Sequence, residues 1–192
     1  MKNIAVLGLG KVGTLAAELL HGSGFEVTGF DAVARSDLPF SIEVLDLTET
    51  SGVEALFAQQ HAVLSCLPFH LNIPLAEAAH RVGIHYFDLT EDVPTTNRVI
   101  ELSKTSKGLM APQCGLAPGF IGIVGASLIA QLDECRSCKM RVGALPQHPT
   151  GLMGYSFNWS PEGVVNEYLN DCEVIEDCER KLVSPMEWME DI

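Results

Sequence analysis

The sequence predicts a doubly wound α/β fold: a parallel sheet with helices on both faces. Three observations carry that expectation. Short apolar runs alternate with segments of helical apolar spacing from residue 3 to residue 132. The runs are nearly continuous in apolar residues, as strands covered on both faces are. The first run passes straight into G-L-G-K-V-G at 8–13, a glycine turn that opens a helix.

The elements follow in order. "NIAVLGLGKVGTLAAELLHGSG" (3–24) reads as strand, glycine turn and a helix stopped by Gly22 or Gly24. "FEVTGFD" (25–31) and "IEVLDL" (42–47) are the second and third strands, and "VEALFAQQ" (53–60) a short helix. "HAVLSCLP" (61–68) is a buried fourth strand halted by Pro68. "NIPLAEAAHRVG" (72–83) is a helix with a glycine stop, and "HYFDLT" (85–90) the fifth strand. "TTNRVIELSKTSKG" (95–108) is a helix with basic residues near its end. "LMAPQCG" (109–115) is a sixth strand, and "FIGIVGASLIAQL" (120–132) another helix. This gives a nucleotide-binding unit over 1–133.

After Asp133 the pattern changes. "RSCKMRVGALP" (136–146) reads as a strand ending at Gly143, "HPTGLMG" (148–154) as a loop, and "YSFNWS" (155–160) as a half-exposed strand. "PEGVVNEYLN" (161–170) is a short helix with Pro161 in its first turn, and "CEVIEDCERKLVSPMEWMEDI" (172–192) a hairpin and a helical start. Two or three strands and one helix are too few to close a core. Residues 134–192 are therefore expected to be an incomplete second domain, in a truncated chain or one completed by another copy. A homo-oligomer is the expected state.

Composition narrows the function. The chain has 192 residues, 47% apolar and 19% charged, ordinary values for a folded globule. A net charge of −13 argues against nucleic-acid partners, which need clustered Lys and Arg. No apolar run is long enough for a membrane span, and "MKNIAVLGLG" reads as a strand and not a leader, so a cytoplasmic protein is expected. Without a leader the six cysteines are expected to be reduced. Cys135 and Cys138 have C-x-x-C spacing, but Cys172 and Cys178 lack it, and no metal site is expected.

The glycine loop has a definite chemistry. Gly8 allows the turn, Gly10 lets a pyrophosphate approach the backbone, and Gly13 lets strand and helix pack closely. With Leu9, Lys11 and Val12 they form a Rossmann-type cradle whose free N–H groups face the phosphates. Asp31 stands 31 − 13 = 18 positions later, where a carboxylate bonds the adenosine ribose hydroxyls. It would repel a 2′-phosphate, so NAD is preferred. NADP stays open, because Arg35 could serve that phosphate if the loop folds back.

Ligands of such sheets sit beyond the carboxyl ends of the strands. Asp46 and Leu47 are placed to flank the adenine. Cys66, Leu67 and Pro68 stand at the nicotinamide end, with His70 just beyond. Glu91 and Asp92 end the fifth strand, and Cys114 ends the sixth, in a Gly-Pro turn that lets backbone approach a ligand. His70, Glu91 and Asp92 are candidate bases and Cys114 a pocket wall. Each has a plainer reading: loop histidine, helix-start acids, and a small semi-buried thiol. His148 and Asn158 lie in the second segment, with no spacing rule behind them.

"VLGLGKVG", "AVLSCLPFHLNIPLAEAA", "HYFDLTED", "PQCGLAPGF", "RVGALPQHP" and "YSFNWSPEGVVNEYL" together resemble the saccharopine dehydrogenase-like family, in its lysine-dehydrogenase branch. The resemblance covers nearly the whole chain, and "CGLAPG", "GALPQHP" and "SPEGVVNEY" are more specific than the glycine loop. It implies an NAD(P)-dependent oxidoreductase that acts on the C–N bond of an amino acid, passing hydride through an imine. Members carry the substrate domain inserted before the chain returns to the first domain, and are about twice this length. Two positions depart from the fungal saccharopine reductases. Their acid before the Pro-Gly is Ala117 here, and their cysteine before a Gly-Gly-Leu-Pro run is Val142. Both departures favour the lysine-dehydrogenase branch. Two rival readings are a dinucleotide-binding paralogue or fragment without catalysis, and a redox or metal sensor using Cys135 and Cys138.

Overall fold

The computed structural model describes residues 2–47, 52–143, 146–150 and 160–187. Six parallel strands form one sheet: β1 (Asn3–Leu7), β2 (Glu26–Asp31), β3 (Ser41–Val44), β4 (Ala62–Ser65), β5 (His85–Asp88) and β6 (Met110–Ala111). Their order is β3-β2-β1-β4-β5-β6. The chain winds outward from β1 to β3, then crosses back to β4 beside β1. Loops leaving β1 and β4 therefore diverge, and their carboxyl ends open a crevice where ligands of this fold bind.

Alternation along the strands builds two cores. Ala5, Leu7, Phe30, Val63 and Tyr86 point to one face. They pack under α2 (Val53–Phe57), α3 (Asn72–Val82) and α4 (Val93–Ser103). Leu75, Ala76 and Ala79 of α3 and Val99 of α4 are fully buried there. Each large side chain so buried contributes about 1.5–3 kcal/mol, which fixes the helices more firmly than their propensity. Ile4, Val6, Val27 and Ala62 point to the other face, under Ala17 of α1 (Lys11–Gly22). That face is thinner: Leu64 and Phe87 are only half-buried. α5 (Phe120–Ile129) buries none of its residues.

The expected elements appear with shifted ends. The third strand stops at Val44, before Asp46 and Leu47. Leu47 is instead 5% exposed within the first core, where its apolar side chain serves packing. The sixth strand is only Met110–Ala111, because Pro112 has no N–H to pair and Gln113 takes a left-handed φ of 61°. α4 starts at Val93, two residues early, because Asp92 caps it and a proline stands in its first turn.

Beyond α5 the described residues 136–143 form no strand, against the expectation for "RSCKMRVGALP". The loop 148–154 is described only to Thr150, and "YSFNWS" only at Ser160. α6 (Pro161–Glu167) and the antiparallel hairpin β7 (Cys172–Glu176) and β8 (Glu179–Val183) follow as expected. Ser160 caps α6 by accepting the Gly163 N–H at 3.1 Å. Ile175 and Leu182 of the hairpin are exposed.

Candidate functional site

A cleft of about 440 Å³ opens at the β1/β4 crossover. Gly10, Lys11, Val12 and Gly13 line it from the β1 loop, and Cys66, Leu67, Pro68 and Phe69 from the β4 loop. Leu89, Thr90 and Glu91 come from the end of β5, and Ser160 and Gly163 from the start of α6.

The three glycines do different work. Gly8 has φ +84°, which side-chain-bearing residues rarely adopt, and a Cβ there would meet Leu67 Cδ2 at 2.9 Å and Cys66 O at 3.0 Å. A Cβ on Gly13 would run into the Gly8 carbonyl oxygen, so this glycine allows α1 to pack against the turn. A Cβ on Gly10 would meet nothing within 4 Å: the backbone is bare beside open space. With the first-turn N–H groups of α1 pointing the same way, that space suits a pyrophosphate.

Asp31 and Arg35 hold the loop from outside. Asp31 Oδ2 accepts the Leu9 N–H at 2.6 Å and Oδ1 accepts the Val33 N–H at 2.9 Å. Arg35 Nη1 donates to Leu9 O at 3.2 Å and to Thr14 Oγ1 at 2.9 Å. The loop after β2 therefore does fold back on the glycine turn. Leu9 presents backbone to these two residues while its side chain is buried in the second core.

Of the four proposed catalytic residues, Glu91 alone lines the cleft. Partial burial pushes its carboxyl pKa up, and the nearby Asp92 and Asp88 carboxylates push the same way. Glu167 at the end of α6 is also raised, by burial and by Glu91. The other three stand elsewhere. His70 is exposed on a single 3-10 turn (Phe69–Leu71), its ring edge-on to Phe69 at 5.9 Å, and that turn aims Phe69 rather than His70 at the cleft. Asp92 is buried as a helix cap: its Oδ2 accepts Thr95 N–H at 2.9 Å and Thr95 Oγ1–H at 2.6 Å. Its Oδ1 accepts Asn166 Nδ2 of α6 at 3.4 Å, so both oxygens are taken by structural donors. The Cys114 thiol turns back toward Ala111 O, is raised by burial and by Asp88, and does not line the cleft. Cys66 lines it, but burial pushes its thiol up to about 12, so it contributes surface and not a nucleophile.

Asp46 is exposed beyond β3 and lies outside the cleft. His148 is exposed, and Asn158 lies outside the described residues. Cys135, Cys138, Cys172 and Cys178 are free and exposed, and among the described residues no three His, Cys, Asp or Glu side chains converge as metal ligands. No helix among the described residues is long and apolar enough to cross a membrane.

Sequence reasoning missed Ser160 and Gly163 as lining residues. Ser160-Pro161 signals a helix start, but nothing in its spacing says that this start lines a cleft whose β5 wall stands 70 residues earlier (160 − 90 = 70).

Comparison with known proteins agrees with the architecture. Residues 4–111 match the model for the saccharopine dehydrogenase NADP binding domain, and residues 115–192 that for the saccharopine dehydrogenase C-terminal domain. A curated relative, saccharopine dehydrogenase [NADP(+), L-glutamate-forming] from Pyricularia oryzae, is 22% identical over 189 residues, covering 92% of this chain and 42% of its own length. The apo saccharopine dehydrogenase (L-Glu forming) of Saccharomyces cerevisiae has a similar fold, with a TM-score of 0.65 at 19% identity, covering 96% of this chain and 44% of its own. The chain thus spans less than half the length of these relatives. With one family model matched across the sheet and another across the remainder, the chain belongs to the saccharopine dehydrogenase family.

Proposed function

We propose that this chain holds the nucleotide site of an NADP(H)-dependent oxidoreductase acting on the C–N bond of an amino acid. The observation that carries the proposal is the cleft at the β1/β4 crossover, with bare Gly10 backbone and the α1 N-terminus on one side and Glu91 on the other. The description of the matched domain and the name of the Pyricularia relative support NADP over the NAD favoured by Asp31 alone.

A bound nicotinamide would supply the hydride acceptor. The chain's own residues do the rest. Gly10 to Gly13 hold the pyrophosphate; Cys66 to Phe69 give the nicotinamide ring an apolar wall. Glu91 takes the proton from the substrate ammonium, a role for which a raised carboxyl pKa suits it. Ser160 and Gly163 close the outer side and exclude water. Ala117 and Val142 stand where the fungal saccharopine reductases carry an acid and a cysteine, which favours lysine over saccharopine as substrate.

Turnover tests this. NADP reduction in the presence of lysine or saccharopine is expected, and Glu91→Gln should lower kcat about 100-fold while leaving dinucleotide affinity intact. Equal kcat in that variant would remove Glu91 from the reaction. Dinucleotide binding without any amine oxidation would favour the second reading, a binding module.

A further inference from the structure

We propose that Asn72 is the positioning residue of the cleft's apolar wall: its side-chain amide, bonded to Ser65, sets where the loop 66–71 stands. This rests on the dinucleotide reading of the cleft. No residue of that loop is buried, whereas Ser65 at the end of β4 and Asn72 at the start of α3 are each 1% exposed. Cys66 and Leu67 lean on the two cores, but the buried points of the segment are its two ends.

Those ends are tied together. Ser65 Oγ donates to Asn72 Oδ1 at 2.7 Å, across seven positions of sequence. From β5, Tyr86 Oη donates to the Asn72 carbonyl oxygen at 3.4 Å, a longer contact. An asparagine at a helix start ordinarily caps its own helix. α3 has no side-chain cap, so this amide is used on the strand end instead. Packing alone does not call for it: Leu75 and Ala76, on the next turn, are fully buried apolar residues. Away from water such a bond is stronger than at the surface, and breaking it leaves a buried polar group unpaired. The tied loop lies against the glycine turn, where a Cβ on Gly8 would meet Leu67 Cδ2 at 2.9 Å. Its position therefore sets the width of the crevice between the β1 and β4 loops, and with it the seat of the nicotinamide half.

Calorimetric titration of the full chain with NADP and with 2′,5′-ADP, which has the adenosine half and no nicotinamide, tests the assignment. The wild type should hold NADP more tightly than 2′,5′-ADP. Asn72→Leu should lose about fivefold or more in NADP affinity, the effect of one buried hydrogen bond, and keep 2′,5′-ADP within about twofold. The double variant Ser65→Ala/Asn72→Leu leaves no hydroxyl unpaired, so its urea midpoint should return toward the wild type while its NADP affinity stays low. Binding of 2′,5′-ADP shows in each variant that the glycine turn is folded. Undiminished NADP binding, equal losses for both ligands, or recovery of NADP affinity in the double variant would overturn the role of Asn72. So would a wild type that holds NADP no more tightly than 2′,5′-ADP. A wild type that binds neither would instead overturn the dinucleotide reading, and this inference with it.

Discussion

Asp88 is fully buried where β5 ends, and its oxygens are unequally served. Oδ1 accepts the Thr90 N–H at 3.1 Å and the Gln113 N–H at 3.2 Å, while Oδ2 meets no donor among the described residues. The carboxyl thus ties the loop after β5 to the turn after β6, and burial pushes its pKa above the ordinary 3.8. The sign follows from proton counting. Between those two values the folded chain keeps a proton that the unfolded chain releases, so stability falls as pH rises through that window. Glu91 and Glu167 are shifted the same way. Asp88→Asn keeps the Oδ1 acceptor and cannot ionise. Urea midpoints measured from acid to neutral pH should fall less steeply in this variant than in the wild type. Asp88→Ala loses both loop bonds and should cost about 1–3 kcal/mol at every pH. Parallel curves for Asp88→Asn and wild type would mean that the buried charge is compensated in some other way.

The same scale shows what the sequence could tell. The turn geometry of Gly8 and Gly13 was legible because one motif fixes strand, turn and helix together; the backbone N–H groups that occupy both oxygens of Asp31 were not. Asp88 was not, although it stands in the quoted "DLTED", because its importance lies in a partner at Gln113, 25 positions away (113 − 88 = 25).

At the level of elements, α4 and α6 meet through Asp92. The carboxylate caps α4 through Thr95, and its other oxygen takes Asn166 of α6. Asp92→Ala should destabilise the chain by about 1–2 kcal/mol, in the range of a lost N-cap. NADP affinity should stay within about twofold of wild type, because the carboxylate faces helix donors and not the cleft. A large loss of turnover at unchanged stability would return Asp92 to the reaction. Elements with strong local signals appeared where the sequence put them: α1 after its glycines, α3 before Gly83, α6 after Ser160-Pro161. Elements that depend on neighbours did not. β3 ended early because Leu47 turns into the core, and β6 shrank because Pro112 and Gln113 break its ladder. His70 was misplaced by one residue of a short turn, which sends Phe69 inward and the imidazole outward.

On the scale of the whole molecule, one face of the sheet is well covered and the other is not. Phe120, Ile123 and Leu128 of α5 and Leu15 and Leu19 of α1 are exposed apolar residues. The parallel sheet was legible because buried strands read as continuous apolar runs on either face, whether or not this chain supplies the cover. What remains organised about the crossover is the cleft, and its occupancy is the central claim. Hydrogen exchange of the backbone amides, with and without saturating NADPH, tests it most directly. Slowed exchange at residues 9–13, 66–69 and 89–91, the three walls of the cleft, is the predicted result. Unchanged exchange there, or slowing confined to the opposite end of the sheet around Phe25 and Leu38, would contradict it.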